Sequence, residues 1–340
     1  MTERAQLTDH FLSKTPWQNA QRTPLAGDAS LRRYERLFDP TTQRRAILMD
    51  APPEKGEDVR PFMKVAQYLH ANGLAAPEIY EADDHHGFLI LEDFGHDLFD
   101  VVCDQDPNKE HEIYAAAVDA LVVLAQAPAL PDAEDYHPKM LDLALSCYKW
   151  YAEPAAERDL SDAEAACCAA LEPLIASLGA GRVTILRDFH AQNLLWLPTR
   201  PAPKNVGLLD FQDAMLGHPA YDLISLTTDA RRDVSPEVQK MCVDRFVDQM
   251  SFDPVQFSRE AAICSVQRNL RILMIFGRMS LYFKKPHYVD LIPRVWGHLM
   301  HDLAHPDLAQ LSDVIKSTIP APTPDILKRL KEQCGTVLTL

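Results

Sequence analysis

Apolar and polar residues alternate with two different periods along this chain, and the change of period falls near residue 92. Short apolar runs bounded by turn residues come first. Ala46-Ile47-Leu48-Met49 and Gly87-Phe88-Leu89-Ile90-Leu91 read as strands, and Leu25 to Leu37 reads as two strands joined by a turn. Between them, Pro52, Pro53 and Gly56 break the chain. A helix is then predicted over Val59 to Asn72, because Phe62, Val65, Ala66 and Leu69 recur at helical spacing and so face a core. Beyond residue 92 the helical period dominates: Val118, Leu121, Val122 and Ala125 share a face, and Leu141 to Trp150 and Asp162 to Leu178 carry further apolar stripes. Late in the chain, Ile272-Leu273-Met274-Ile275-Phe276 continues the same pattern, with Arg268, Arg271 and Arg278 close to one face.

Strands first and helices after predict an α+β chain whose sheet and helices are segregated. Its 340 residues suffice for two lobes, each with its own core. The boundary is predicted at 92, giving 1–92 as a small antiparallel-sheet lobe and 93–340 as a larger, mainly helical one.

Two loops carry candidate chemistry. Leu186-Arg187-Asp188-Phe189-His190-Ala191-Gln192-Asn193 precedes a short apolar run, and Asp210-Phe211-Gln212-Asp213 follows another, Val206 to Leu209. An Asp and an Asn so placed can aim a carboxylate at a substrate hydroxyl and an amide oxygen at a metal, and a second Asp can complete the metal site. Asp188 is therefore the candidate base or orienting carboxylate. Asn193 and Asp210 are the candidate ligands of Mg²⁺, a hard cation suited to amide and carboxylate oxygens. His190, Gln192 and Asp213 lie close enough in sequence to touch an acceptor. His190 could equally brace its loop, and Asp213 could equally cap the next helix.

These motifs resemble the small-molecule branch of the kinase-like fold, typified by aminoglycoside and choline phosphotransferases, with Leu186 standing where that branch has its first His. Within the branch, the two loops and Arg268-Asn269-Leu270-Arg271 are similar to the bacterial kinases that phosphorylate N-acetylmuramate and N-acetylglucosamine at the anomeric hydroxyl during cell-wall recycling. The resemblance runs from about Ala26 to about Trp296. It implies a bilobal protein-kinase-like fold, ATP and Mg²⁺ as cofactors and a small amino sugar as acceptor. Gly27, Asp28, Ala29, Ser30 and Arg33 would then cover the nucleotide phosphates, and Glu92, Asp93 and Phe94 would form the hinge against adenine. Arg268 and Arg271 would meet a lactyl carboxylate; a salt-bridged surface is the other reading of the same arginines. Asp222 would tie down the catalytic loop.

One departure matters. Met49 occupies the strand-three position where protein kinases carry a phosphate-binding Lys, so the charge must come from Arg33, Arg45 or Lys64, or the site leans on metal. Two rival readings remain. A cationic aminoglycoside or amino-alcohol acceptor would call for a pocket rich in carboxylates, and a non-catalytic kinase-shaped binding protein would account for the missing Lys.

Composition removes other classes. A net charge of −15 with no long basic run argues against a nucleic-acid partner. The longest apolar run is too short for a bilayer, and the first twenty residues mix charges with single apolar residues, so a cytoplasmic location without membrane association is expected. Seven scattered cysteines without a Cys-x-x-Cys pair suit reduced thiols. His298, His301 and His305 are read as a polar helix end. The sequence does not set the oligomeric state.

Overall fold

The computed structural model describes residues 3–25, 31–179 and 181–338. By contact the chain falls into two compact units, Met1–Leu124 with Leu186–Ala214, and Ala125–Ile185 with Met215–Leu340.

The first unit is built on a five-stranded antiparallel sheet, in the order β1-β2-β3-β5-β4. Its elements are α1 (Glu3–Ser13), β1 (Gln21–Leu25), β2 (Arg33–Asp39), β3 (Arg44–Asp50), α2 (Arg60–Ala71), β4 (Ile79–Asp83), β5 (Phe88–Glu92), α3 (Phe99–Gln105) and α4 (Glu110–Gln126). Strand alternation divides the sheet into two faces. On one, Leu37, Ala46, Leu48, Phe88 and Ile90 are all buried and pack with Phe11, Leu12 and Trp17. Phe11 stacks on Phe88 with ring centroids 5.4 Å apart, and Arg4 sits over the same ring while pairing with Asp50 at 2.6 Å. α1 thus seals this face, an assignment its mixed sequence did not announce. Tyr34 and Arg36 lie on the opposite face of β2 from Leu37.

The predicted helix and strands are present, α2 within one residue of its expected ends and Phe62, Val65, Ala66 and Leu69 all buried. β1 and β2 pair with Leu25 opposite Tyr34, so the hairpin strands are present as well. The expected phosphate-covering residues Gly27, Asp28, Ala29 and Ser30 lie outside the described residues.

Residues 186–214 cluster with the sheet, not with the helices that precede and follow them. Their hairpin, β7 (Leu194–Trp196) with β8 (Val206–Leu208), explains why. Leu208 N–H donates to Ala75 O at 2.8 Å and Trp196 N–H to Asp97 O at 2.7 Å, stitching the hairpin to the segments after α2 and β5. Gly207 allows the closest approach, since a Cβ there would fall 2.8 Å from the Phe94 ring. Contacts therefore divide the chain differently from the chain-order boundary expected at 92.

The second unit is mainly helical. It contains α5 (Met140–Leu145), α6 (Glu153–Ala156), α7 (Ser161–Ala176), the two-stranded pair β6 (Val183–Ile185) and β9 (Met215–Gly217), then α8 (Ala220–Thr227), α9 (Pro236–Met250), α10 (Pro254–Leu281), α11 (Ile292–Asp302), α12 (Ala309–Thr318) and α13 (Pro324–Glu332). α10 is the axis on which α5, α8, α11 and α13 pack. Its start is specified locally: Asp253 caps it by accepting the Gln256 N–H at 2.8 Å, and Pro254 follows at the first helical position. Among the described residues no helix is long and apolar enough to cross a membrane.

Candidate active site

The β7–β8 hairpin assembles the two motifs. Because Leu194 pairs with Leu208, the residues just outside the pair, Asn193 and Leu209, also meet, and Leu209 N–H donates to Asn193 O at 2.9 Å. Asp210 is the next residue. Antiparallel pairing therefore delivers Asn193 and Asp210 to the same end of one hairpin, although 16 residues separate them in the chain.

Asp188 is brought in by the loop's own bonds. Asn193 Nδ2 donates to the main-chain oxygen of Asp188 at 2.9 Å and lies 3.5 Å from Asp210 Oδ2 and 3.3 Å from His190 Nε2. His190 N–H donates to Asp188 O at 3.1 Å, and Asn193 N–H to His190 O at 2.8 Å. Buried apolar side chains anchor the loop: Leu186 at 2 %, Phe189 at 2 % and Phe211 at 0 % exposure. Leu186 thus fills with hydrocarbon the place where the resembling branch carries its first His. Phe211 stacks on Phe62 of α2, centroids 4.8 Å apart, which ties Asp210 to that helix.

The backbone is forced at two points of this loop pair. Arg187 has φ of 74° and Asp210 φ of 55°, both in the left-handed region. Asp tolerates that region; Arg seldom adopts it, and such strain persists where the surroundings fix it, commonly at functional sites. Arg187 Nη1 donates to the Asp213 main-chain oxygen at 3.3 Å, joining the two loops across the site.

The electrostatics suit a cation. Asp210 is exposed at its rim, yet the protein around it partly desolvates the carboxyl and raises its pKa above the usual carboxylate range; Gln212 Nε2, donating at 2.7 Å, opposes the shift, and the Asp188 charge adds to it. Two carboxylates that repel each other in one place gain from a bound positive ion. Asn193 Oδ1 accepts no hydrogen bond among the described residues, so a hard oxygen donor stands beside Asp210. Among those residues no group of three His, Cys, Asp or Glu side chains could hold a metal. The donor set of one amide and one carboxylate fits an Mg²⁺ ion completed by phosphate oxygens and water.

Gln192 is exposed and His190 buried within the same loop, and Asp213 is exposed at its far side. The expected hinge residues are held rather than open. Glu92 N–H donates to Glu78 O at 2.8 Å and its carboxylate pairs with Arg200, whose guanidinium lies 4.9 Å from the Phe94 ring centroid. Asp93 forms an ion pair with Arg36, whose Nη2 donates to Asp93 Oδ1 at 3.1 Å. Arg33 is exposed at the start of β2, where it pairs in register with Asp50.

Arg268 and Arg271 stand in the second unit, on α10, where they are 4 % and 9 % exposed. Arg268 Nη2 donates to Ser225 Oγ at 2.9 Å and Arg271 Nη1 to Tyr221 Oη at 3.0 Å, so what the structure shows both of them meeting is α8. Asp222, on that same helix, is buried at 3 %. Sequence reasoning did not single out Arg32, Tyr34 or Glu57, which interact with one another, Tyr34 and Arg32 also interacting with Asp210.

The sequence pattern of the phosphotransferase enzyme family matches residues 21–252. A relative in Caulobacter vibrioides, described as an N-acetylmuramate/N-acetylglucosamine kinase, is 34 % identical over 369 residues, covering 95 % of this chain and 98 % of its own. Among solved structures, a choline/ethanolamine kinase family protein from Mesorhizobium loti superposes with a TM-score of 0.59 at 12 % identity, covering 92 % of this chain and 99 % of its own. An ADP-bound aminoglycoside phosphotransferase gives 0.57 at 11 % identity, covering 91 % and 99 %. At such identities these two structures speak for the fold alone, which is the kinase-like one.

Proposed function

The chain belongs to the phosphotransferase enzyme family, and we propose that it transfers the γ-phosphoryl group of ATP to the anomeric hydroxyl of N-acetylmuramate or N-acetylglucosamine. The observation that supports the reaction type is the side-chain amide of Asn193, which donates to the main-chain oxygen of Asp188 at 2.9 Å and lies 3.5 Å from Asp210 Oδ2, so that three oxygen-bearing residues meet on one loop pair. The acceptor is supported by the name of the Caulobacter vibrioides relative, which the chain matches nearly end to end.

Asp188 accepts a hydrogen bond from the acceptor hydroxyl, orients its lone pair for in-line attack and takes its proton as the bond to phosphorus forms. Orientation matters more than basicity, because the transition state is loose. Asn193 and Asp210 would hold Mg²⁺ through their side-chain oxygens, and the ion would supply positive charge to the transferring phosphoryl group. His190 and Gln192, in the same loop, and Asp213, held opposite by Arg187, are assigned to the acceptor side. A reaction fed by ATP and free amino sugar places the enzyme in the cytoplasm, in the recycling of cell-wall sugars.

The test is an acceptor screen read by ADP release. N-acetylmuramate and N-acetylglucosamine are expected to support turnover, and the same sugars blocked at C1 are expected not to. Phosphorylation of a C1-blocked sugar would reject the anomeric assignment. Turnover confined to amino alcohols or aminoglycosides would reject the sugar.

A further inference from the structure

Met49, at the strand-three position, contributes no charge: it is 2 % exposed and faces Tyr34 across the β2–β3 ladder. None of the three cations weighed from the sequence is seen to take its place. Arg33, Arg45 and Lys64 are all exposed, and the Arg45 guanidinium lies 6.0 Å from the Phe38 ring centroid.

Arg32 stands elsewhere. Its side chain is 13 % exposed, and its Nε donates to Glu57 Oε2 at 2.8 Å; Glu57, itself 15 % exposed, accepts the Leu31 N–H on its other oxygen at 3.0 Å. Glu57 lies in the turn just before α2. One carboxylate therefore fixes both the main chain entering β2 and the guanidinium that follows it.

Tyr34 shows where that guanidinium lies. Arg32 immediately precedes β2, and its side chain interacts with the phenol of Tyr34, the second residue of that strand. Residues directly opposite in an antiparallel pair share a face, so Tyr34 and Met49 lie on one side of the sheet. It is the side that α1 does not seal, since Leu37, on the other face, packs with Phe11 and Trp17. The phenol of Tyr34 interacts electrostatically with both Arg32 and Asp210, and Asp210 with Arg32. The guanidinium thus reaches the neighbourhood of the metal-binding carboxylate, on the side of the sheet where Met49 leaves a cation lacking.

We propose that Arg32, braced by Glu57, binds the nucleotide phosphates in place of the absent strand-three lysine. The ion pair that protein kinases form between a strand-three Lys and a helix Glu is here formed between the residue that enters strand two and the turn before α2. The exchange has a chemical consequence, because a guanidinium offers a planar fork that grips two phosphate oxygens, whereas an ammonium is a point charge.

This inference rests on the reading of the protein as a user of ATP, and its test needs no acceptor. Calorimetric titration of Mg²⁺ and ADP into wild type, Arg32→Met, Arg32→Lys and the exchanged pair Arg32→Glu with Glu57→Arg separates the roles. Arg32→Met is expected to weaken ADP binding on the order of ten- to a hundredfold, the worth of a hydrogen bond to a charged group. Arg32→Lys is expected to fall between it and wild type. The exchanged pair keeps an ion pair but moves the positive charge and gives up the acceptor of the Leu31 N–H; it is expected to melt somewhat below wild type, to remain folded, and to bind ADP as poorly as Arg32→Met. Recovery of wild-type affinity by the exchanged pair, or ADP binding by Arg32→Met within twofold of wild type, would overturn the assignment alone. A wild type that binds no ADP would overturn the nucleotide reading and this assignment with it.

Discussion

The side-chain amide of Asn193 holds the catalytic loop closed by donating to the main-chain oxygen of Asp188 at 2.9 Å. On the proposed mechanism one residue would do two things: its nitrogen fixes the backbone of Asp188, and its oxygen would be a ligand of the metal ion. Asn193→Ala removes both, and kcat is expected to fall on the order of a hundredfold, the usual cost of a reacting group displaced by about an ångström. The variant should also need more Mg²⁺ to reach its maximal rate. Initial rates across an Mg²⁺ titration check this, and a kcat within threefold of wild type with an unchanged Mg²⁺ requirement would remove Asn193 from the site.

Asp188→Asn keeps the shape of the side chain but cannot take a proton. A positioned base contributes about 10²–10⁴ in rate, so kcat should drop within that range while the KM values for nucleotide and acceptor change little. ADP release under saturating substrates gives the answer. Undiminished turnover would move the base elsewhere.

The sequence displayed those two loops because their chemistry is local: Asp188 to Asn193 is one continuous stretch, and the hairpin that brings Asp210 back is short. β5 and α2 were legible for a similar reason, since Phe88 to Leu91 and Phe62 to Leu69 carry their own period. α1 was not, because its burial depends on a sheet face that forms from distant strands and its own sequence mixes Glu3, Arg4, Asp9 and His10 with few apolar residues. The Arg32–Glu57 pair escaped for the same cause. Neither residue is unusual alone, and only the β2–β3 register, with Tyr34 opposite Met49, sets them beside the site. Arg268 and Arg271 show the limit of face counting: the spacing located them on a helix, but the partners Ser225 and Tyr221 come from α8, which no spacing on α10 could name.

Gly277 marks the tightest approach within the second unit. A Cβ there would stand 2.0 Å from the main-chain oxygen of Trp150, so α10 and the π-helical turn at Tyr148–Ala152 pack backbone to backbone. Gly277→Ala must separate them, and the expected loss is about 1–3 kcal/mol despite alanine's better helix propensity. Chemical denaturation measures it. An alanine variant as stable as wild type would mean that the turn yields freely.

Asp302 predicts how that unit responds to pH. Burial raises its carboxyl to about 6, against the bonds it accepts from Ser265 Oγ and Asn269 Nδ2 at 3.1 Å. In the unfolded chain the same group titrates at roughly 3.9. Between those two values the folded protein holds the proton that the unfolded chain has released, so this residue's contribution to stability falls as pH rises through the window and stays low above it. The two-unit gap corresponds to roughly 3 kcal/mol as a ceiling. Asp302→Asn cannot ionise, keeps an oxygen for both donors, and should lack this slope. Melting temperatures of wild type and variant, compared from pH 4 to 7.5, should show the wild type losing ground to the variant as pH rises. Parallel curves would mean that Asp302 ionises in the folded chain as it does in water, and that its two hydrogen bonds fully offset its burial.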